Sequence, residues 1–209
     1  MYDAAAPGRP GPCPAKALRA RCLRQQQGTA PRKTQPDKRP TMNLFTGESA
    51  DEFFGGEMPA AARQALRLAA HAPREEVASL LWTAQAMAPQ ALGVYYVLYK
   101  HHASQRELAE AERAARRGLQ EAARQAGLAA DWRSVTPATL PTGVDFQGSG
   151  PARFWLFTLK ALAFLSLRGG HPEGARELLA TIAALDPQAR IGDEVVASLL
   201  ASISGGAGV

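Results

Sequence analysis

The sequence predicts an all-α fold: a short array of antiparallel helical hairpins, interrupted by one long loop and closed by a C-terminal capping helix. Three observations carry this expectation. Apolar residues recur at helical spacing through residues 59–205. Helix start and stop signals bracket those stretches at short intervals, so successive helices are joined by tight connections. Strand signals are absent throughout.

Taken in order, Pro59 suits the first turn of a helix through Ala70, because a helix N-terminus leaves its first amides unpaired and proline has none to lose. Pro73 opens the second helix in the same way, and Glu75-Glu76 complement the dipole there. That helix sets Val77, Leu80, Leu81, Ala84 and Met87 on one face, and Pro89 follows its end. A third helix is expected at about 90–102, with Leu92, Tyr95, Tyr96, Leu98 and Tyr99. The fourth begins near Ser104, with Glu107 three positions on as the second half of a capping box, and ends at Gly127. Helices at about 152–168, 172–185 and 192–204 complete the set. The apolar run Phe154 to Leu167, interrupted by Lys160, is too short to span a bilayer and reads as a buried core helix. The last helix sets Val195, Val196, Leu199, Leu200 and Ile203 on one face, as a capping helix would.

Residues 159–187 carry the most specific pattern. Leu159, Leu162 and Ala163 lie on one helix, Ala175 and Leu179 on the next, Gly169-Gly170 at the turn between them, and Pro187 at the close. This resembles one tetratricopeptide (TPR) repeat, a helix–turn–helix unit of about 34 residues. Ser166 stands where the family places an aromatic. Leu98 and Ala111 are 13 positions apart, as are Leu162 and Ala175, and Tyr95 takes the leading large place, so a weaker resemblance extends to residues 92–125. There Tyr99 occupies a normally small place and no proline closes the unit. In the pair at 59–88, Ala84 and Pro89 fit but Val77 replaces a small residue. The resemblance thus implies one well-kept repeat and two degenerate ones, about the minimum for a stable stack.

It also implies a function. TPR-type modules hold an extended or helical peptide in the groove lined by the first helix of each hairpin, so the expectation is an adaptor, chaperone-like or assembly factor whose partner is another protein. The candidate contacts are Tyr95, Tyr96 and Tyr99, with Lys100 as a charge contact and Trp132 and Phe146 added from the loop. For each aromatic the alternative is core packing.

The segments around the helices read differently. Residues 1–41 hold nine Lys/Arg against Asp3 and Asp37, while the remaining 168 residues carry a net −2. Seven prolines and little apolar periodicity predict a disordered tail. Its charge would suit nucleic acid or an acidic membrane surface; the favoured reading is that translation starts at Met42 instead. Nucleic acid is therefore the less favoured partner. Cys13 and Cys22 both lie in this tail, so the folded part has neither a disulfide nor a cysteine metal site. That suits a reducing cytosol, and a bacterial cytoplasmic protein without membrane insertion is expected. In the lead-in at 42–58, Leu44, Phe45, Phe53 and Phe54 are interleaved with Glu48, Asp51 and Glu52; docking back onto its own helices is favoured over docking into a partner. The loop at 128–151 contains Trp132, Val135, Leu140, Val144 and Phe146, which pin it across the helices, border a groove, or both.

No catalytic constellation emerges, so neither an enzyme nor a cofactor is expected. His101 and His102 point to different helix faces, His71 and His171 sit at helix junctions, and no HExxH or CxxC motif accompanies them. Gly148-Ser149-Gly150-Pro151 lacks the strand and the Lys-Ser/Thr ending of a P-loop, and reads as a cap with proline in the first turn. Arg113, Arg116, Arg117 and Arg124 alternate with Glu110, Glu112 and Glu121 on the fourth helix, a charge-laced solvated face rather than a phosphate site.

Overall fold

The computed structural model describes Phe54 and residues 58–148, 150–188 and 190–205; the basic tail and most of the lead-in lie outside the described residues. Among these are seven α-helices, one short 3-10 turn and no strand. The helices are α1 (Ala60–Ala69), α2 (Arg74–Met87), α3 (Leu92–Ser104), α4 (Leu108–Ala126), α5 (Pro151–Arg168), α6 (Pro172–Leu185) and α7 (Glu194–Gly205). Connections of three or four residues turn α1 back onto α2, α3 onto α4 and α5 onto α6, giving three hairpins. Each hairpin packs on the next through α2 against α3 and α4 against α5, while α7 lies against both α5 and α6. The chain is an all-α hairpin array.

The α3–α4 turn departs from the expected capping box. Ser104 is the last residue of α3, and its Oγ donates to His101 O at 2.7 Å instead of capping α4. The chain reverses through Arg106, which adopts a left-handed φ of 64°. Glu107 N then donates to His102 O (2.9 Å) and Arg106 N to Ala103 O (3.1 Å), the paired closure of a Schellman motif. Glu107 is consumed elsewhere: its Oε2 meets Nδ1 of buried His102 at 2.6 Å. Helix α4 therefore starts at Leu108, with Glu107 instead of Ser104 at the cap position.

Two expected core faces also shift. Met87 is half exposed, because it lies in the last turn of α2 where the chain is already leaving for α3. On α7 only Val196 is buried and Leu200 is half-buried, while Val195, Leu199 and Ile203 are 70%, 42% and 50% exposed. A stripe from 195 to 203 containing two adjacent pairs is wider than the edge by which one short helix meets α5 and α6.

The 128–151 segment is held down by its own side chains. Trp132, Val135 and Phe146 are buried, Leu140 and Val144 half-buried, and the Phe146 ring stacks on Trp155 of α5 at 6.0 Å. Asp131 caps the turn Trp132–Ser134 by accepting from Arg133 N at 3.0 Å. Buried Asp186, just past α6, fastens both neighbouring loops: Oδ1 accepts from Gln147 Nε2 (3.2 Å) and Oδ2 from Ile191 N (3.1 Å). Gly150 enters α5 at φ 107°, a conformation closed to residues with a Cβ, and Pro151 follows in the first turn.

Candidate functional site

The helices α3 and α5 face each other across an aromatic seam. Its floor depends on a close approach by α4: a Cβ on Gly118 would stand 2.8 Å from Tyr95 Cβ and 3.3 Å from Phe154 Cε1. With only a hydrogen there, α4 packs tightly against both Tyr95 of α3 and Phe154 of α5. Tyr95 is also tethered to the end of α2, donating to Pro89 O at 2.7 Å and accepting from Gln85 Nε2 at 3.1 Å.

Into this seam goes a ring from upstream of α1. Phe54 is 1% exposed and touches Tyr96 (5.3 Å), Phe154 (4.7 Å, edge-on) and Phe157 (5.8 Å). Tyr96 and Phe157 are themselves 6.2 Å apart, and Tyr99 packs edge-on against Tyr96 at 5.5 Å. Edge-to-face arrangements of this kind add to plain area burial. The self-docking expected of the lead-in is seen at Phe54, its described aromatic.

Charge lies beside the rings. Lys100 Nζ sits 5.0 Å over the Tyr96 ring and donates to its hydroxyl at 3.1 Å. Lys160 Nζ sits 4.4 Å over Phe157 and donates to Ile191 O, with Asp193 and Glu194 close enough to favour its charge. Burial pulls both ammonium groups below the ordinary lysine pKa. The same burial pushes the Tyr96 phenol up to about 12, and raises those of Tyr95 and Tyr99.

The structure brings Tyr95, Tyr96, Tyr99 and Lys100 together, but the three tyrosines are buried in the core rather than spread along an open groove. Trp132 and Phe146 pack on a different part of the fold, under the 128–151 loop. Trp132 is covered by Arg133 at 4.4 Å, whose Nη2 reaches Glu177 of α6 at 3.3 Å. In the 159–187 unit, Leu159, Leu162, Ala163, Ala175 and Leu179 are buried, and Pro187 lies exposed just beyond the end of α6. Ser166 is accounted for by Gly174, where a Cβ would be only 3.0 Å from its Oγ; an aromatic at 166 would have no room against α6.

Sequence reasoning missed Phe154 and Phe157 as seam residues, since an apolar run signals burial without saying against what. It also missed the His102–Glu107 pair, whose members are five apart across a turn.

Elsewhere the chemistry is spare. Among the described residues no group of three or more His, Cys, Asp or Glu gathers as a metal site, and no helix is long and apolar enough to cross a membrane. The α4 arginines are held by neighbouring acids: Arg116–Glu112 and Arg124–Glu121 each at 2.6 Å, and Arg113–Glu110. Arg113 and Arg117 also cover Trp82 at 5.1 and 5.4 Å.

No family model matches the chain, and no solved structure matches it. A curated protein of Azotobacter chroococcum mcd 1, described as an uncharacterized 19.8 kDa protein in the nifW 5′ region, is 32% identical over 124 residues. The match spans 59% of this chain and 69% of that protein. At that identity and coverage, the chain belongs to the same family as the Azotobacter 19.8 kDa protein.

Proposed function

We propose that the protein is a non-enzymatic interaction module, an adaptor or chaperone-like assembly factor, built on TPR-like hairpins and working in the bacterial cytoplasm. One observation carries the reading: the α3–α5 seam encloses the ring of Phe54, a residue upstream of the seven helices. A surface that receives Phe54 has the shape and apolarity to receive a side chain from another protein, and stacked hairpins present such seams at regular spacing. The TPR-type arrangement of Leu159, Leu162, Ala163, Ala175 and Leu179 supports it further.

The test is direct binding. The full chain is immobilised, proteins retained from an extract of its source cells are identified, purified and titrated back. A partner with a Kd of about 1 μM or tighter, roughly 8 kcal/mol of binding free energy, supports the proposal. The absence of any saturable protein partner contradicts it. The family member in the nifW 5′ region makes products encoded beside this chain's own gene the first candidates to assay.

The second reading, nucleic-acid association, rests on the nine basic residues within 1–41. It requires that binding to DNA or RNA fall steeply with salt and vanish in a chain starting at Met42. Equal, salt-insensitive binding by both chains removes it.

A further inference from the structure

We propose that the outer face of α7 is a self-association surface, through which two copies of the chain pair about a twofold axis. This surface is separate from the aromatic seam and does not depend on the interaction-module reading.

Helix α7 meets the fold along one edge, through buried Val196 and half-buried Leu200 against α5 and α6. The rest faces water: eight of the ten residues from Glu194 to Ile203 are exposed. From Val195 to Gly205 the helix carries no charged residue. A helix that is apolar all round is normally covered on every side, and the end of a hairpin array normally turns a polar face to solvent. The outer side of α4 meets that requirement with its Arg116–Glu112 and Arg124–Glu121 pairs. The sequence of α7 holds nothing equivalent.

The pattern on this face says what covers it. Val195, Leu199 and Ile203 recur every four residues and form a ridge. Beside it Ser198, Ala201 and Ser202 are small and leave a shallow groove. Ser202 Oγ donates to Ser198 O at 2.9 Å, so that hydroxyl is served within the helix. In a twofold pair the ridge of each copy lies in the groove of the other, because one surface supplies both halves. Charge agrees with this occupant. Two uncharged faces meet without burying an unpaired ion, and Glu194 lies about 7 Å along the helix from a crossing at Leu199. By contrast, α7 has no Lys or Arg to draw it to an acidic membrane surface, and beyond Glu194 no charge with which to select an unlike protein.

Area sets the strength. Stable interfaces take about 800 Å² from each partner over 20–30 residues, roughly 30–40 Å² per residue. The eight exposed residues of α7 thus give roughly 300 Å² per copy before any rim residues are counted. That makes a weak, exchanging dimer with a Kd of about 10–100 μM.

Sedimentation velocity of the full chain over about 1–300 μM measures it. The wild type is expected to pass from monomer to dimer across this range and to stop there. Leu199→Glu puts a charge on the ridge at the crossing and weakens association at least tenfold. Ala201→Leu fills the groove and weakens it at least threefold, although it makes the face more apolar. Should Leu199→Glu lose helicity by circular dichroism, Val195→Glu, at the most exposed position of the ridge, replaces it with the same tenfold loss expected. The inference is overturned if the wild type stays monomeric, if it grows past a dimer, or if the folded charge variant dimerises as the wild type does. Tighter association by Ala201→Leu also overturns it, since general apolar adhesion and not a ridge in a groove would then be at work. A chain that stays monomeric in solution but pellets with phosphatidylcholine–phosphatidylglycerol vesicles, and ceases to do so on Leu199→Glu, puts a membrane on this face in place of a second copy.

Discussion

Replacing Gly118 with alanine sets two effects of known size against each other. In a helix interior alanine is favoured over glycine by about 1 kcal/mol, so helix propensity alone makes Gly118→Ala stabilising. Packing opposes it. The new methyl would lie 2.8 Å from Tyr95 Cβ, 3.1 Å from its Cγ and 3.3 Å from Phe154 Cε1, where carbon atoms prefer about 3.5–4.0 Å. The nearest obstacle is a Cβ fixed to the α3 backbone, so relief requires α3 and α4 to separate rather than a rotamer to turn. Overpacking of this kind costs about 1–3 kcal/mol. The packing effect wins, and the variant loses about 1 kcal/mol net, a fall in Tm of roughly 2–4 °C for a domain of this size. Urea unfolding followed at 222 nm measures it, with an unchanged m-value required for the comparison. A variant more stable than wild type would refute the close approach of α4 to Tyr95 and Phe154 that sets the width of the aromatic seam.

Arg106→Gly is expected to stabilise the protein by about 0.5–1 kcal/mol in the same assay: relief of a left-handed non-glycine residue is worth about 1–2 kcal/mol, less the extra freedom glycine gains in the unfolded chain. A loss of stability would show that Arg106 does not hold φ 64° in solution. Asp186→Ala should cost about 1–3 kcal/mol, because it strips the acceptors from Gln147 Nε2 and Ile191 N at a buried site, and hydrogen exchange should quicken in both flanking loops; unchanged exchange in both loops would count against this tether. Alkaline titration reports on the seam. Because the folded Tyr96 phenol ionises only at about 12, against 10 when unfolded, its contribution is complete below pH 10 and is lost as pH rises from 10 through 12. Tyr95 and Tyr99 act in the same direction. Phenolate absorbance at 295 nm from these three tyrosines should therefore appear together with loss of helicity; ionisation near pH 10 with helicity intact would contradict their burial.

Much of the fold is legible in the sequence because its signals are local. Prolines at 59, 73, 151 and 172 mark helix starts to within a residue or two, and Gly127 marks an end. Small residues at 163 and 175 foretell a close helix pair. What stays hidden depends on the third dimension. Ser104 and Glu107 carry the letters of a capping box, but a buried His102 takes the carboxylate, and the turn closes through Arg106 instead. Leu199 and Val196 look alike in a helical pattern, yet whether each meets α5 and α6 depends on the width of that edge. The seam is legible only in part. Tyr95, Tyr96, Tyr99 and Lys100 stand out as a cluster on one helix, whereas Phe154 and Phe157 read only as members of an apolar run, and Trp132 and Phe146 prove to serve the loop. Nothing in the helical pattern places Phe54 between α3 and α5, because that contact joins residues about 40 to 100 positions apart.

Fluorine NMR of the full chain with a fluorinated phenylalanine placed at position 54, titrated with a purified protein partner, tests the proposed role of the aromatic seam most directly. At saturation the resonance of this buried ring is predicted to move, as the partner engages the seam that Tyr96 and Phe157 line. A resonance that stays unchanged while the partner binds would contradict it, since the partner would then be held somewhere other than the seam.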